Sequence, residues 1–207
     1  MRPGLCKWRS SVIPRGSLNS LSCVFIVNRH FNNFLIGLNE GHQTRTVKTT
    51  SGPVIGQTIQ LATGKWVDRF LVIRYAQANR FEKSTQPTPW TDPFEAFSYG
   101  KNCPQSQSDN IDEDCLFINV FVPHRRLDSD EQFHVMHWIH GGAYVTGSGD
   151  YDGSAILATE GDVIVVTCNY RLGVLGYLAK GDSDLPGNYG MFDQQFALQW
   201  TQDNIEK

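Results

Sequence analysis

The 207-residue sequence predicts an α/β fold, and three observations carry that prediction. Residues 163–170 are apolar at nearly every position, the pattern of a parallel strand buried on both faces. Residues 134–140 read as a second strand. The segment 154–160 between them is compatible with a short helix, which makes a β-α-β unit. Residues 191–207 carry a helical pattern in which Phe192, Phe196 and Trp200 recur every four residues.

The elements follow in order from residue 46. Within residues 47–59, Ser51-Gly52-Pro53 separates two β-prone arms and predicts a hairpin. Residues 70–75 are a short strand. Pro87, Pro89, Pro93 and Pro104 mark residues 76–110 as an irregular surface excursion. Strand candidates at 116–122, 134–140 and 163–170 come next. In the closing helix Met191, Leu198 and Ile205 form a second apolar stripe, which predicts partners on two sides.

Residues 1–45 read as a basic N-terminal extension outside this pattern. They hold Arg2, Lys7, Arg9, Arg15, Arg29 and Arg45 against Glu40 alone. The apolar run at 21–27 behind a basic start suggests a secretory leader, but no small-residue cleavage site follows it. An organelle transit peptide and a wrongly joined segment are the other two readings. The remainder of the chain is acidic, which disfavours binding to a phosphate backbone and so excludes nucleic acid as a partner. No run reaches the roughly 18 apolar residues of a membrane span.

The five cysteines include no C-x-x-C pair. Cys168 lies in an apolar run. Spacing alone leaves open whether Cys103 and Cys115, which flank a polar loop, are free or paired. His134, His137 and His140 recur every three residues, but on a strand His137 points away from the other two. No metal site is expected there. Gly147-Ser148-Gly149 and Gly64-Lys65-Trp66 lack the spacing of phosphate loops and read as turns.

The chemistry is concentrated in Trp138-Ile139-His140-Gly141-Gly142-Ala143-Tyr144. Two glycines after an apolar strand let backbone N–H groups turn toward one point. Such donors stabilise the oxygen that becomes negative when an ester carbonyl is attacked. An HGGG-type loop does this in α/β-hydrolases, where a G-x-S-x-G turn carries the nucleophile. No serine here has glycine both two before and two after it.

Several stretches in order resemble the type-B carboxylesterases, a family that includes the cholinesterases and the cholinesterase-like adhesion proteins. Residues 69–76, RFLVIRYA, are similar to the family's R-F-L-G-I-P-Y-A, and Asp112-Glu113-Asp114-Cys115-Leu116 to its S-E-D-C-L signature. Asn79-Arg80-Phe81, Trp90, Trp138 to Ala143, Tyr151-Asp152-Gly153, Asn169-Tyr170-Arg171-Leu172-Gly173 and Gly187-Asn188-Tyr189-Gly190 continue the likeness.

The resemblance implies an α/β-hydrolase fold truncated before the central nucleophile strand, with residues 46–207 as the N-terminal part of a carboxylesterase type-B domain. It makes Gly141 and Gly142 the oxyanion glycines, with Ala143 in the third glycine's place. It pairs Cys103 with Cys115 in a disulfide, Arg80 with Glu113, and Arg171 with Asp193. It calls for no cofactor and suggests a secreted or ER-lumen protein. The expected function is that of a fragment of a serine carboxylic-ester hydrolase, inactive by itself and cut from a parent that takes a small-molecule ester. The alternatives are a fragment of a non-catalytic adhesion protein that binds a protein partner, and a binding fragment in its own right. The loop between Cys103 and Cys115 lacks a tryptophan, so acetylcholine is not an expected substrate. Without a further strand, an unpaired apolar edge is expected at residues 163–170.

Overall fold

A computed structural model of the chain describes residues 23–25, 41–124, 132–151 and 153–205. Except for Cys23–Phe25 and residues 41–45, the readings of a leader or transit peptide concern residues outside these. In chain order the strands are β1 Cys23–Phe25, β2 His42–Gln43, β3 Val47–Lys48, β4 Pro53–Ile55, β5 Gln57–Gln60, β6 Trp66–Arg74, β7 Phe94–Glu95, β8 Phe117–Pro123, β9 His134–Ile139 and β10 Val163–Cys168. The helices are α1 Gly153–Gly161, α2 Gly173–Tyr177 and α3 Tyr189–Asn204.

Seven strands form one sheet in the order β1-β9-β10-β8-β6-β5-β2, and β3-β4-β7 form a second. β9 and β10 run parallel, with Val165 opposite Met136, and α1 is their crossover. β10 pairs antiparallel with β8, and β8 with β6. The sequence places the β-α-β unit correctly, but the apolar edge expected at residues 163–170 does not exist. The chain returns from α1 into the middle of the sheet, so β10 is hydrogen-bonded on both sides, by β9 and β8. The neighbour on the other side of β9 is β1, with Val24 opposite His137. Residues 1–45, read as outside the pattern, therefore contribute two strands to the sheet, β1 and β2.

Alternation along β10 assigns the two faces of the sheet. Ile164, Val166 and Cys168 pack in a cluster with Ala197 and Trp200 of α3, whereas Val165 packs with Ala155 and Ala158 of α1. The two helices thus cover opposite faces, which is why β10 is apolar throughout. Each such fully buried aliphatic side chain contributes about 1.5–3 kcal/mol.

Three differences from expectation have physical causes. The hairpin is confined to β3 and β4, because β5 pairs instead with β6. β6 is longer than expected and bulges between Phe70 and Ile73. α3 buries its apolar stripes only in part: Trp200 is buried and Phe192 and Phe196 half-buried, Met191 is exposed, and the buried face also runs through Asp193, Gln194, Ala197, Thr201 and Asn204. Polar side chains are tolerated on that face where they are bonded, as Asn204 is to Thr50 and Thr201 to Ala197. The helix α2 has five residues, too few for a helical period to show in the sequence.

Candidate functional site

The loop after β9 is held in a conformation that glycine permits and most residues resist. Gly142 has φ +115°, and a Cβ there would lie 2.0 Å from the Thr146 carbonyl oxygen. Ala143 and Tyr144 follow in the left-handed region at φ 53° and 62°. Two successive non-glycine residues there cost free energy, so the surroundings must hold them. The Gly142 carbonyl accepts from the N–H groups of Val145 and Thr146, at 3.0 and 3.2 Å. The Tyr144 carbonyl accepts from Gly173 N–H at 2.7 Å.

Gln105 is the main side-chain clamp on this loop. Its Oε1 accepts from Gly147 N–H at 2.9 Å and from the Thr146 hydroxyl at 2.8 Å, while its Nε2 donates to the Gly147 carbonyl at 2.8 Å. Cys103, two residues before it, is disulfide-bonded to Cys115, with both cysteines buried. The disulfide therefore fixes the segment from which Gln105 reaches the Gly-Gly loop. Sequence reasoning missed Gln105, because a glutamine in a polar loop carries no pattern that marks it.

With these bonds made, the backbone N–H groups of Gly141, Gly142 and Ala143 have no hydrogen-bond acceptor among the described residues. Gly141 is exposed and nothing lies within 4 Å of where its Cβ would stand. Tyr144 N–H likewise has none, so four successive donors are left open beside an uncrowded surface. Tyr144, Val145, Val174 and Leu178 are exposed apolar residues on the loop and on the α2 segment bonded to it.

Behind the loop lies a neutral polar layer. His140 donates from Nδ1 to the Gly141 carbonyl at 2.9 Å and stacks on Tyr170, the ring centroids 4.3 Å apart. Tyr170 donates its hydroxyl to the His140 carbonyl. Burial lowers the His140 pKa, opposed by the bond to Gly141, and burial raises that of Tyr170 to about 12. His137 is buried one strand turn earlier. Thr201 gives its own proton to Ala197, so its oxygen accepts from His137 Nδ1 at 2.9 Å; His137 Nε2 then accepts from the Cys168 thiol at 3.4 Å. Burial lowers His137 to about 4 and raises Cys168 to about 12, so both stay neutral at pH 7. His137 and His140 are thereby committed to separate partners. Among the described residues no three His, Cys, Asp or Glu side chains are grouped as metal ligands.

Two ion pairs tie neighbouring segments to this frame. Arg171 and Asp193 meet through two contacts of 2.8 Å, and Arg171 also donates to the Glu82 carbonyl at 2.7 Å. Arg80 pairs with Glu113 at the exposed surface, and its guanidinium holds the Glu113 carboxyl below its ordinary pKa. No described helix is long and apolar enough to cross a membrane.

Comparison with known proteins places this geometry. The family model described as carboxylesterase matches residues 43–207. Human bile salt-activated lipase is 42% identical over 174 residues, which is 77% of this chain and 23% of that protein. Mouse cholinesterase is 39% identical over 186 residues, 79% of this chain and 29% of its own length. A solved structure of PNB esterase matches with a TM-score of 0.68 at 40% identity, covering 77% of this chain and 34% of its own. The chain therefore spans about a quarter of the length of these two curated relatives, at 23% and 29%. The match includes the Gly-Gly loop, its Gln105 clamp and the strands behind it, and the chain belongs to the carboxylesterase family, with the α/β-hydrolase fold.

Proposed function

We propose that residues 140–147 are the oxyanion-binding part of a carboxylic-ester hydrolase site. The observation that carries this reading is the row of N–H groups at Gly141, Gly142 and Ala143 with no acceptor among the described residues, on a loop fastened through Gln105 and through the Gly142 and Tyr144 carbonyls. Donors held in place before reaction stabilise the negative oxygen of a tetrahedral intermediate without a reorganisation cost. The neutral layer of His140 and Tyr170 leaves no competing anion behind them.

The 207 residues hold no G-x-S-x-G turn, so hydrolysis at this site requires a nucleophile, acid and histidine supplied by sequence outside them. By itself the chain binds but does not hydrolyse. The substrate class is a small carboxylic ester, with no cofactor, and Arg80–Glu113 and Arg171–Asp193 serve structure. The compartment is an oxidising one, in keeping with the Cys103–Cys115 disulfide. A second reading, a non-catalytic family member that recognises a protein, is favoured by the exposed Tyr144, Val145 and Val174.

The test is the native transcript followed across the Lys207 codon, and kinetics on the longer product. If it encodes a G-x-S-x-G serine, Gly142→Ala in that product lowers kcat about 100- to 1,000-fold, because the added methyl meets the Thr146 carbonyl and turns the donors away. An unchanged kcat rejects the oxyanion role. A product without the serine favours the binding reading.

A further inference from the structure

A second site lies away from the Gly-Gly loop, where this sequence departs from its family. A cavity of about 250 Å³ opens at the β6 bulge, lined by Val72, Arg74, Gln77, Thr88, Trp90, Phe94 and Phe117. Val72 and Arg74 stand at the positions where the type-B pattern has glycine and proline.

Val72 occupies the left-handed region at φ 56°, the conformation a β-branched side chain resists most. Two contacts hold it there. Its N–H donates to Asn119 Oδ1 at 2.9 Å, and Gly100 leaves room for its methyl, since a Cβ at Gly100 would stand 2.3 Å from Val72 Cγ2. A strained residue that persists because its surroundings over-determine it directs attention to what it faces, and Val72 faces this cavity.

The lining sets the ligand's chemistry. Trp90 and Phe94 meet edge to face at 6.3 Å, and Phe94 is 40% exposed although it is an aromatic wall of the cavity. Phe117, also in the lining, carries the Arg74 guanidinium 5.0 Å from its ring centroid. Both terminal nitrogens of Arg74 are bonded to Asp114, so the cation is already neutralised and offers an anion little. Polar capacity remains at the rim, in the Thr88 hydroxyl and the Gln77 amide, whose Oε1 is taken by the Thr88 N–H. Aromatic walls, a satisfied cation and neutral rim groups suit a flat, uncharged molecule with a hydroxyl. The volume lies just below the roughly 300–1,000 Å³ of sites for drug-sized ligands, which limits the occupant to one or two rings.

We propose that this cavity binds a small uncharged hydroxyaromatic compound, stacked between Phe117 and the Trp90–Phe94 pair. The test titrates the 207-residue chain with 2-naphthol by calorimetry, and in parallel with 2-naphthoate, which has the same rings and a negative charge. Two exposed-position variants are compared, with melting temperatures confirming that they fold. Phe94→Ala removes one aromatic wall and weakens 2-naphthol about three- to tenfold. Thr88→Trp fills the mouth and abolishes binding. Failure of 2-naphthol to bind at millimolar concentration, equal affinity in the wild type and Thr88→Trp, or tighter binding of 2-naphthoate each overturns the proposal. Neither substitution touches the Gly-Gly loop, so the outcome is independent of the oxyanion reading.

Discussion

Arg171 meets Asp193 side-on in the interior, through Nε and one terminal nitrogen, the guanidinium side chain 6% exposed and the carboxylate 0%. The pair joins the turn after β10 to the first half of α3, and the third guanidinium nitrogen reaches the carbonyls of Asn79 and Glu82. One side chain thus fastens three segments distant in sequence.

Breaking that pair is expected to be severe. Arg171→Met leaves the Asp193 carboxylate buried without its partner, and loss of one member of a buried pair costs about 3–5 kcal/mol. Removing both charges with Arg171→Met and Asp193→Leu recovers a large part. Urea denaturation of the single and double variants measures the difference, and equal losses would show that the charges are not coupled.

The buried histidines make stability depend on pH in a definite direction. Burial holds His137 at about 4, against about 6.5 for an exposed imidazole. A group whose folded pKa is lowered has its full contribution above the unfolded value. That contribution is lost as pH falls from 6.5 toward 4, because only the unfolded chain takes up the proton. The gap corresponds to about 3 kcal/mol. His140, lowered by burial too, acts in the same direction. Melting temperature recorded between pH 7 and pH 4.5 should drop, and His137→Asn should flatten the curve even while lowering its starting point.

Reduction of the disulfide should destabilise the chain and loosen the Gly-Gly loop together. Closing a loop with a sequence separation of 12 is worth about 3 kcal/mol on chain-entropy grounds. Cys103→Ser with Cys115→Ser is expected to lose that amount. Because Gln105 hangs from this segment, amide exchange at Gly147 should accelerate more than at Val165 in the centre of the sheet. Uniform acceleration would separate the disulfide from the loop.

Val72 should be the valine most tolerant of glycine. Relief of a left-handed conformation returns about 1–2 kcal/mol, while glycine costs about 0.5–1 kcal/mol in chain entropy and some burial is lost. The balance lies within about 1 kcal/mol of zero. At Val67, fully buried in β6 with ordinary φ, the same change should cost about 2–4 kcal/mol. Denaturation midpoints of Val72→Gly and Val67→Gly give the comparison directly, and similar losses would mean that the bulge holds no strain.

What was legible in sequence alone is what local pattern encodes. The apolar run of β10 announced a strand covered on both faces, and the turn residues at 51–53 announced the β3–β4 hairpin. The glycines at 141 and 142, with the ordered motifs around them, marked the loop and its family. Tertiary structure alone decided which neighbours those elements take. β10 lies between β9 and β8 rather than at an edge, and Cys23–Phe25 pairs with β9, because strand order depends on how the chain returns and not on any single strand's residues. The polar face of α3 is buried because Arg171, His137 and Thr50 wait opposite it, partners 22 to 154 residues away. Gln105 became the clamp of the loop for the same reason: a hydrogen bond needs two groups at one place, and only the folded chain brings them there.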